Sequence, residues 1–277
     1  MYAARDDTKD SSYHAAGLIT YSNSKSIISS YASIFESLWK QNELYEQLKI
    51  HDKMQIEFIN IAAHELRTPI QPILSLTELL RTQIKDVKQQ EILDITIRNA
   101  KRLQHLSYDI LDAAKIEGRS LELNKEEFNI NNVVMNAMTD LTSGRDVLKH
   151  EKIKLIYNPR QDILIKADKG RISQVISNLL NNAIEFTAEG TILVTIEKDK
   201  INNNNETIIV SVKDAGQGID PSILPRLFTK FTSKSYKGTG LGLFISKGII
   251  EAHGGKIWGE NNSDGRGAKF SFSLPTR

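Results

Sequence analysis

In the run FINIAAHELRTPI, residues 58–70, His64 stands directly before Glu65, with Thr68 and Pro69 one helical turn later. An imidazole is a nucleophile near neutral pH, and a neighbouring carboxylate can fix the tautomer that leaves one ring nitrogen unprotonated. Ile59, Ala63, Leu66, Ile70, Ile73, Thr77, Leu80 and Ile84 recur at spacings of three and four, which marks one apolar helix face. At about 100° per residue, His64 lies about 140° from Ile59 and about 160° from Leu66, on the solvent side. An exposed imidazole beside a carboxylate, followed by a helix-bending proline, has the features of a phosphate acceptor.

A second group lies on RISQVISNLLNNAIEFT, where Gln174, Asn178 and Asn182 are four apart and form one polar stripe on an apolar helix. Magnesium keeps several waters and takes few protein ligands beside nucleotide phosphates, and a carboxamide oxygen adds no repulsion toward a triphosphate. Alone, the stripe would favour a solvated helix face or capping amides; the motifs that follow reverse that. DAGQGI follows a predicted strand. There the Asp214 carboxylate can accept from an adenine amino group, whereas guanine would present a carbonyl and leave the acid unpaired. Gly216 and Gly218 let the backbone approach a base and phosphates. In LPRLFTKFTSKSYKGTGLGLFISKGI, Gly238, Thr239, Gly240, Leu241 and Gly242 lead into a helix whose unpaired amides can hold phosphate. The small, basic span 229–239, with Lys230, Lys234 and Lys237, reads as a lid over a nucleotide. Gly265 and Gly267 in DGRGAKFSF shape a further turn.

These groups need positioning elements. Residues 1–22 read as a disordered polar tail ending in GLITYS, a short strand left from an upstream domain. Residues 23–53 form a coiled-coil-like signalling helix, in which Tyr31, Leu38 and Tyr45 make one seven-residue series and Ile34, Gln41 and Leu48 the other. Continuing that register brings Asp52 and Gln55 into the seam, so it breaks just before the His64 helix. A second helix spans about Val87 to Ile116, with Ile92, Asn99, Leu103, Leu106, Ile110 and Ala113 facing one way. Two helices with one apolar stripe each cannot close a core alone, so residues 54–118 are expected to pair with a second copy as a four-helix bundle. Beyond EGRS the texture changes. Strands at LELNKEEFNI, IKLIYN and DILIKAD, helices at 131–149 and 169–186, and a hairpin of TILVTIEKD and ETIIVSVKD around INNNN lead to the glycine-rich run. KIWGE and AKFSFSLP complete the sheet. The fold class is therefore α+β, a helical hairpin followed by a two-layer α/β sandwich over 119–277.

Composition removes several functions. The 36 basic and 34 acidic residues nearly balance, so no global field favours nucleic acid. With no cysteine there is no disulfide framework or thiolate metal site. No apolar run reaches the roughly 18–20 residues of a membrane span, and the polar start MYAARDDTKD carries no signal-peptide core, so a cytoplasmic location is expected.

The motifs stand in the order found in sensor histidine kinases, and the resemblance covers roughly residues 54–277. HELRTP resembles their H-box, Asn178 and Asn182 the N-box, DAGQGI the first glycine box, Phe228 and Phe231 the F-box, and KGTGLGL and DGRG the later glycine boxes. The resemblance implies a HisKA-type dimerisation hairpin and a Bergerat (GHKL) ATP-binding domain. It implies ATP and Mg²⁺ as cofactors, with Asn178 and Asn182 at the metal. His64 becomes the phosphoryl acceptor, Glu65 its partner, and Thr68 the residue orienting water for dephosphorylating a partner. The implied partners are a second copy of the chain and the receiver domain of a separate response regulator, and GLITYSNSKS before the long helix reads as the tail of a missing or vestigial sensor. One departure is Glu185, three residues after Asn182, where the family usually carries a lysine that helps hold phosphates.

Two alternatives stay open at this stage. One is an ATPase clamp of the gyrase, mismatch-repair and chaperone class, against which the HELRTP helix argues. The other is a dimeric phosphatase or scaffold of weak kinase activity, supported by Glu185 alone.

Overall fold

The computed structural model describes residues 2–5, 16–19, 24–143, 152–159, 161–202, 205–232, 239–263 and 265–276. It divides into two compact units, residues 1–55 and 56–277. In the first, β1 (Tyr2–Arg5) and β2 (Ala16–Ile19) pair antiparallel, Tyr2 opposite Ile19. β2 includes Gly17–Ile19 of the GLITYS run. Helix α1 (Lys25–Gln83) begins here, and Tyr31, Leu38 and Tyr45 of one heptad series and Ile34 and Leu48 of the other all stay exposed along it.

In the second unit α1 turns back into α2 (Val87–Glu117) through residues 84–86, a shorter link than the polar run suggested. Asp86 caps α2 by accepting from the Gln89 amide at 2.9 Å, satisfying one of the orphan donors of the first turn. Ala63, Ile70, Leu74 and Thr77 of α1 are buried, as are Ile97, Ala100 and Ser107 of α2. Ion pairs Arg81–Asp94 and Lys101–Glu78 flank this seam, the latter at 2.9 Å. The single stripe read from spacing is thereby corrected. Leu66, Ile73 and Leu80 are 46%, 50% and 47% exposed, and Ile92, Asn99 and Leu103 are exposed as well. Each hairpin helix has two apolar faces, one for its sequence neighbour and one open, and a spacing count merges them.

The remainder is mixed α/β. The elements are β3 (Glu126–Asn129), α3 (Ile130–Ser143), β4 (Ile153–Tyr157), β5 (Leu164–Ala167), α4 (Lys169–Phe186), β6 (Gly190–Asn202), β7 (Asn205–Lys213), α5 (Gly242–Ala252), β8 (Lys256–Asn261) and β9 (Ala268–Pro275). Five strands make a sheet of order β4-β6-β7-β9-β8, with β4 and β6 parallel and every other pair antiparallel. β3 and β5 form a separate antiparallel pair. Of LELNKEEFNI only Glu126–Asn129 is strand, because Ile130 already begins α3.

Ile208, Val210 and Val212 of β7 and Phe272 and Leu274 of β9 alternate inward and meet Ile172, Ile176, Leu179 and Leu180 of α4 and Ile245 and Ile249 of α5 in one core. The period of two in the strands and of 3.6 in the helices is what lets the two layers face each other. Ala113 of α2 belongs to the same core, with Ile110 and Ile116 packed against it. The end of the hairpin is thus part of the nucleotide-domain packing.

Candidate functional site

Helices α2, α4 and α5, the segments after β7 and before α5, and the start of β9 line a cavity of about 360 Å³. α4 contributes Gln174, Asn178, Asn182 and Glu185 to its lining, because residues three, four and seven apart share a helix face. The turn before α5 contributes Thr239 and Gly240, α5 itself Gly242, and the loop after β7 Asp214 and Gly218. Ile219, Ile223, Leu227, Ala268 and Phe270 supply an apolar wall near that loop. An apolar slot with a few placed polar groups is the usual form of a small-molecule site.

Asp214 is 5% exposed. Its Oδ1 accepts from the amides of Gly216 at 2.9 Å and Ala268 at 3.1 Å, and burial raises its pKa above the ordinary value while these two bonds lower it. Asn262 donates to the Asp214 carbonyl at 2.8 Å and to that of Arg266 at 2.6 Å, so the loop is held from its far side as well. Gly267 has φ +77°, and a Cβ there would stand 2.1 Å from the Asp214 oxygen. Only glycine permits that approach. At the other end Asn178 donates to Ser246 Oγ at 2.9 Å, which fixes the amide with its oxygen free to accept. A Cβ on Gly242 would meet that oxygen at 2.3 Å.

The remaining sequence expectations are placed as follows. Gln174 lines the cavity but is tied down: its amide donates to Asp112 of α2 at 2.8 Å, and Arg171 bridges to both of them. Leu241 is buried as the residue before α5. Lys230 pairs with Glu117 at the end of α2 and lies 5.6 Å over the Phe244 ring, away from the lining. Lys234, Lys237 and Gly238 fall outside the described residues.

Spacing gave no hint of Asp109, Asn261 or Asn262, which reach the site from distant parts of the chain. Asn261 brackets Ile219 by accepting from its amide at 2.6 Å and donating to its carbonyl at 2.9 Å. Buried His253 has both ring nitrogens engaged. Nδ1 meets the Ile249 carbonyl at 2.8 Å, and Nε2 accepts the Asp168 amide at 3.0 Å just before α4. Nε2 can accept only while the ring is neutral.

Burial, with Lys125 nearby, lowers the His253 pKa below its ordinary 6.5, against the opposing influence of Ile249 and Asp168. The unfolded chain then takes up a proton that the folded chain does not, so stability present above pH 6.5 falls as pH drops through that value. The thermal midpoint should decline between about pH 7 and 5.5, and His253→Gln should flatten that decline. An equal slope in the variant would assign the loss elsewhere.

On α1, His64 and Glu65 are 72% and 75% exposed at their side chains, with Nδ1 to Oε1 at 3.8 Å. Thr68 Oγ1 donates back to the His64 carbonyl at 3.1 Å. Pro69 and Pro72 lie inside the helix and leave two carbonyls without their usual amide donors. Ser107 of α2 donates to the Ala63 carbonyl at 3.0 Å, steadying the segment from across the hairpin. His64 is not among the cavity residues, and Asp109 is the hairpin's contribution to the lining.

A hairpin displaying a histidine, joined to an α/β body with a cavity of this composition, defines a phosphoacceptor helical domain coupled to an ATP-binding domain. Residues 54–119 match the His Kinase A (phospho-acceptor) domain, and residues 167–277 match the histidine kinase-, DNA gyrase B-, and HSP90-like ATPase. Sensor histidine kinase WalK of Bacillus subtilis is 30% identical over 243 residues, covering 84% of this chain and 38% of WalK. Hybrid signal transduction histidine kinase B of Dictyostelium discoideum is 31% identical over 230 residues, 81% of this chain and 12% of that protein. Full-length ShkA in complex with AMPPNP superposes with a TM-score of 0.63 at 29% identity, covering 79% of this chain and 45% of ShkA. The Acinetobacter baumannii histidine kinase AdeS gives 0.53 at 27% identity, over 77% of this chain and 98% of AdeS.

The chain belongs to the histidine kinase family of two-component systems. It spans well under half the length of the curated relatives it matches. Among the described residues no helix is long and apolar enough to cross a membrane.

Proposed function

We propose that this chain autophosphorylates His64 from Mg-ATP and passes the phosphoryl group to an aspartate of a separate response-regulator receiver domain. The observation that carries the reading is the solvent-facing His64–Glu65 pair in the same chain as the Asp214 and glycine-turn cavity. The bound nucleotide of ShkA supports ATP as the ligand.

The residues fit both cofactors. Asp214 offers a buried acceptor for an adenine amino group, and Gly242 leaves room beside the carboxamide of Asn178. Among the described residues no group of three or more His, Cys, Asp or Glu is arranged to hold a metal ion. A magnesium ion at a nucleotide takes most of its ligands from phosphates and water, and Asn178 and Asn182 of the lining would be its protein donors. The metal would neutralise phosphate charge.

Glu65, too far from Nδ1 for a hydrogen bond, favours a proton on that nitrogen and leaves Nε2 to attack. A bond from Nε2 to the γ-phosphorus forms as the bond to the bridging oxygen breaks, and ADP leaves with the electron pair. Since His64 does not line this cavity, transfer requires the nucleotide body to move or the cavity of a second copy to serve it. A homodimer is supported by the exposed ladder Leu66, Ile73 and Leu80, whose four-helix pairing would bury it. Thr68 donates to the His64 carbonyl and keeps its lone pairs to accept from, and so orient, a water. The test is labelling with γ-labelled ATP and magnesium, where acid-labile, alkali-stable label is expected. A chain that binds ATP without taking label would favour the phosphatase or scaffold alternative.

Glu185 places a carboxylate on the cavity wall near Asn182. Repulsion from the triphosphate should weaken binding, so Glu185→Lys should tighten ATP by about three- to fivefold in a calorimetric titration, as suits an exposed charge. Unchanged or weaker affinity would remove Glu185 as the cause.

A further inference from the structure

Asp109 sits on α2, the helix opposite the phosphoacceptor, yet it lines the nucleotide cavity. Its Oδ2 accepts from Thr239 Oγ1 at 3.2 Å, and the same hydroxyl accepts the Leu241 amide at 3.2 Å. One carboxylate is thereby linked through one hydroxyl to the glycine-rich turn that opens α5. Asp109 cannot easily swing clear, because the following turns of α2 are anchored to the same body. Asp112 takes a 2.7 Å bond from Arg171, and Ile116 fills the space over Gly248.

The cavity adds a charge argument. Asp109 and Asp214 both bring a carboxylate to its wall. Burial raises the Asp109 pKa, opposed by the Thr239 bond and His105. A polyphosphate reaching the glycine turn would therefore meet a carboxylate already engaged there.

Resting on the ATP-binding reading above, we infer that Asp109 is a specificity-determining residue of the nucleotide site, supplied by the hairpin, which competes with uncovered phosphate charge for the Thr239–Leu241 turn. Triphosphate is admitted chiefly with its divalent cation, and occupancy of the cavity acts directly on α2.

The test titrates the whole chain with adenosine, with ATP plus magnesium, and with ATP plus a chelator. In Asp109→Asn the amide oxygen can still accept from Thr239, but the charge is gone. Affinity for metal-free ATP should then rise by at least about fivefold, the low end of coupling between two sites. Mg-ATP should tighten less, and adenosine should not change. Thr239→Val removes the link while keeping the charge, and should give no gain for metal-free ATP.

An Asp109→Asn variant that shifts all three ligands equally would make the residue structural and overturn the inference. So would one that shifts none. If the wild type binds neither adenosine nor ATP, the nucleotide reading itself fails, which is a different result from a wild type that binds and an unresponsive variant.

Discussion

A His64→Gln variant should bind ATP as the wild type does and take no label from it. Binding should survive because His64 does not line the cavity, and glutamine is a good helix former at an exposed position. Labelling should fall by more than about a thousandfold, because a carboxamide offers no nucleophilic ring nitrogen and the reaction has no other first step. The pair of readouts matters. Loss of both would indicate a damaged fold, whereas loss of label alone places the acceptor at His64. Label that persists would shift it to another of the chain's six histidines, with His51 and His105 on the same two helices the nearest alternatives.

The contrast between His64 and Asp109 shows which parts of the site local sequence encodes. His64, the stripe Gln174–Asn178–Asn182 and the glycine turn each reside within one element, where residue spacing alone sets their geometry. The solvent-facing position of His64 and the shared face of the asparagines follow from helix period, and both appear in the structure. Asp109 meets Thr239 across 130 positions, and Asn262 meets Asp214 across 48. No local period carries such pairs.

The same limit explains the hairpin. Spacing marked Ile92, Leu103, Ile110 and Ala113 as one face, but the upper residues stay exposed while Ala113 enters the nucleotide-domain core. A helix that serves two neighbours in succession presents one continuous stripe to the reader. Lys230 illustrates the converse. A basic lid predicts phosphate contact, whereas Glu117, over a hundred positions earlier in the chain, engages the ammonium in this structure.

Asp214→Asn should cost ATP affinity on the order of a hundred- to a thousandfold without lowering the thermal midpoint. The binding loss follows from the donor pattern. Oδ1 is held by the Gly216 and Ala268 amides, so the new NH₂ group must take the other position. That group would then point a donor at the adenine amino donor, leaving both unpaired in a buried slot, and sites built on such hydrogen bonds reject mismatched ligands strongly. Guanine nucleotides, with a carbonyl there, should lose far less.

The stability expectation has the opposite sign. Burial raises the Asp214 pKa in the folded state, so the ionised carboxylate costs stability at pH values above its ordinary 3.8, and that cost is relieved as pH falls. Asparagine carries no such charge and still accepts both amide bonds. Its midpoint at neutral pH should therefore equal or exceed that of the wild type. A variant that loses ATP and also melts early would show that Asp214 mainly holds the loop together. Retained affinity would place the adenine-recognising group elsewhere in the cavity, because a buried carboxylate left facing the guanine carbonyl is the chemical ground on which Asp214 would refuse guanine.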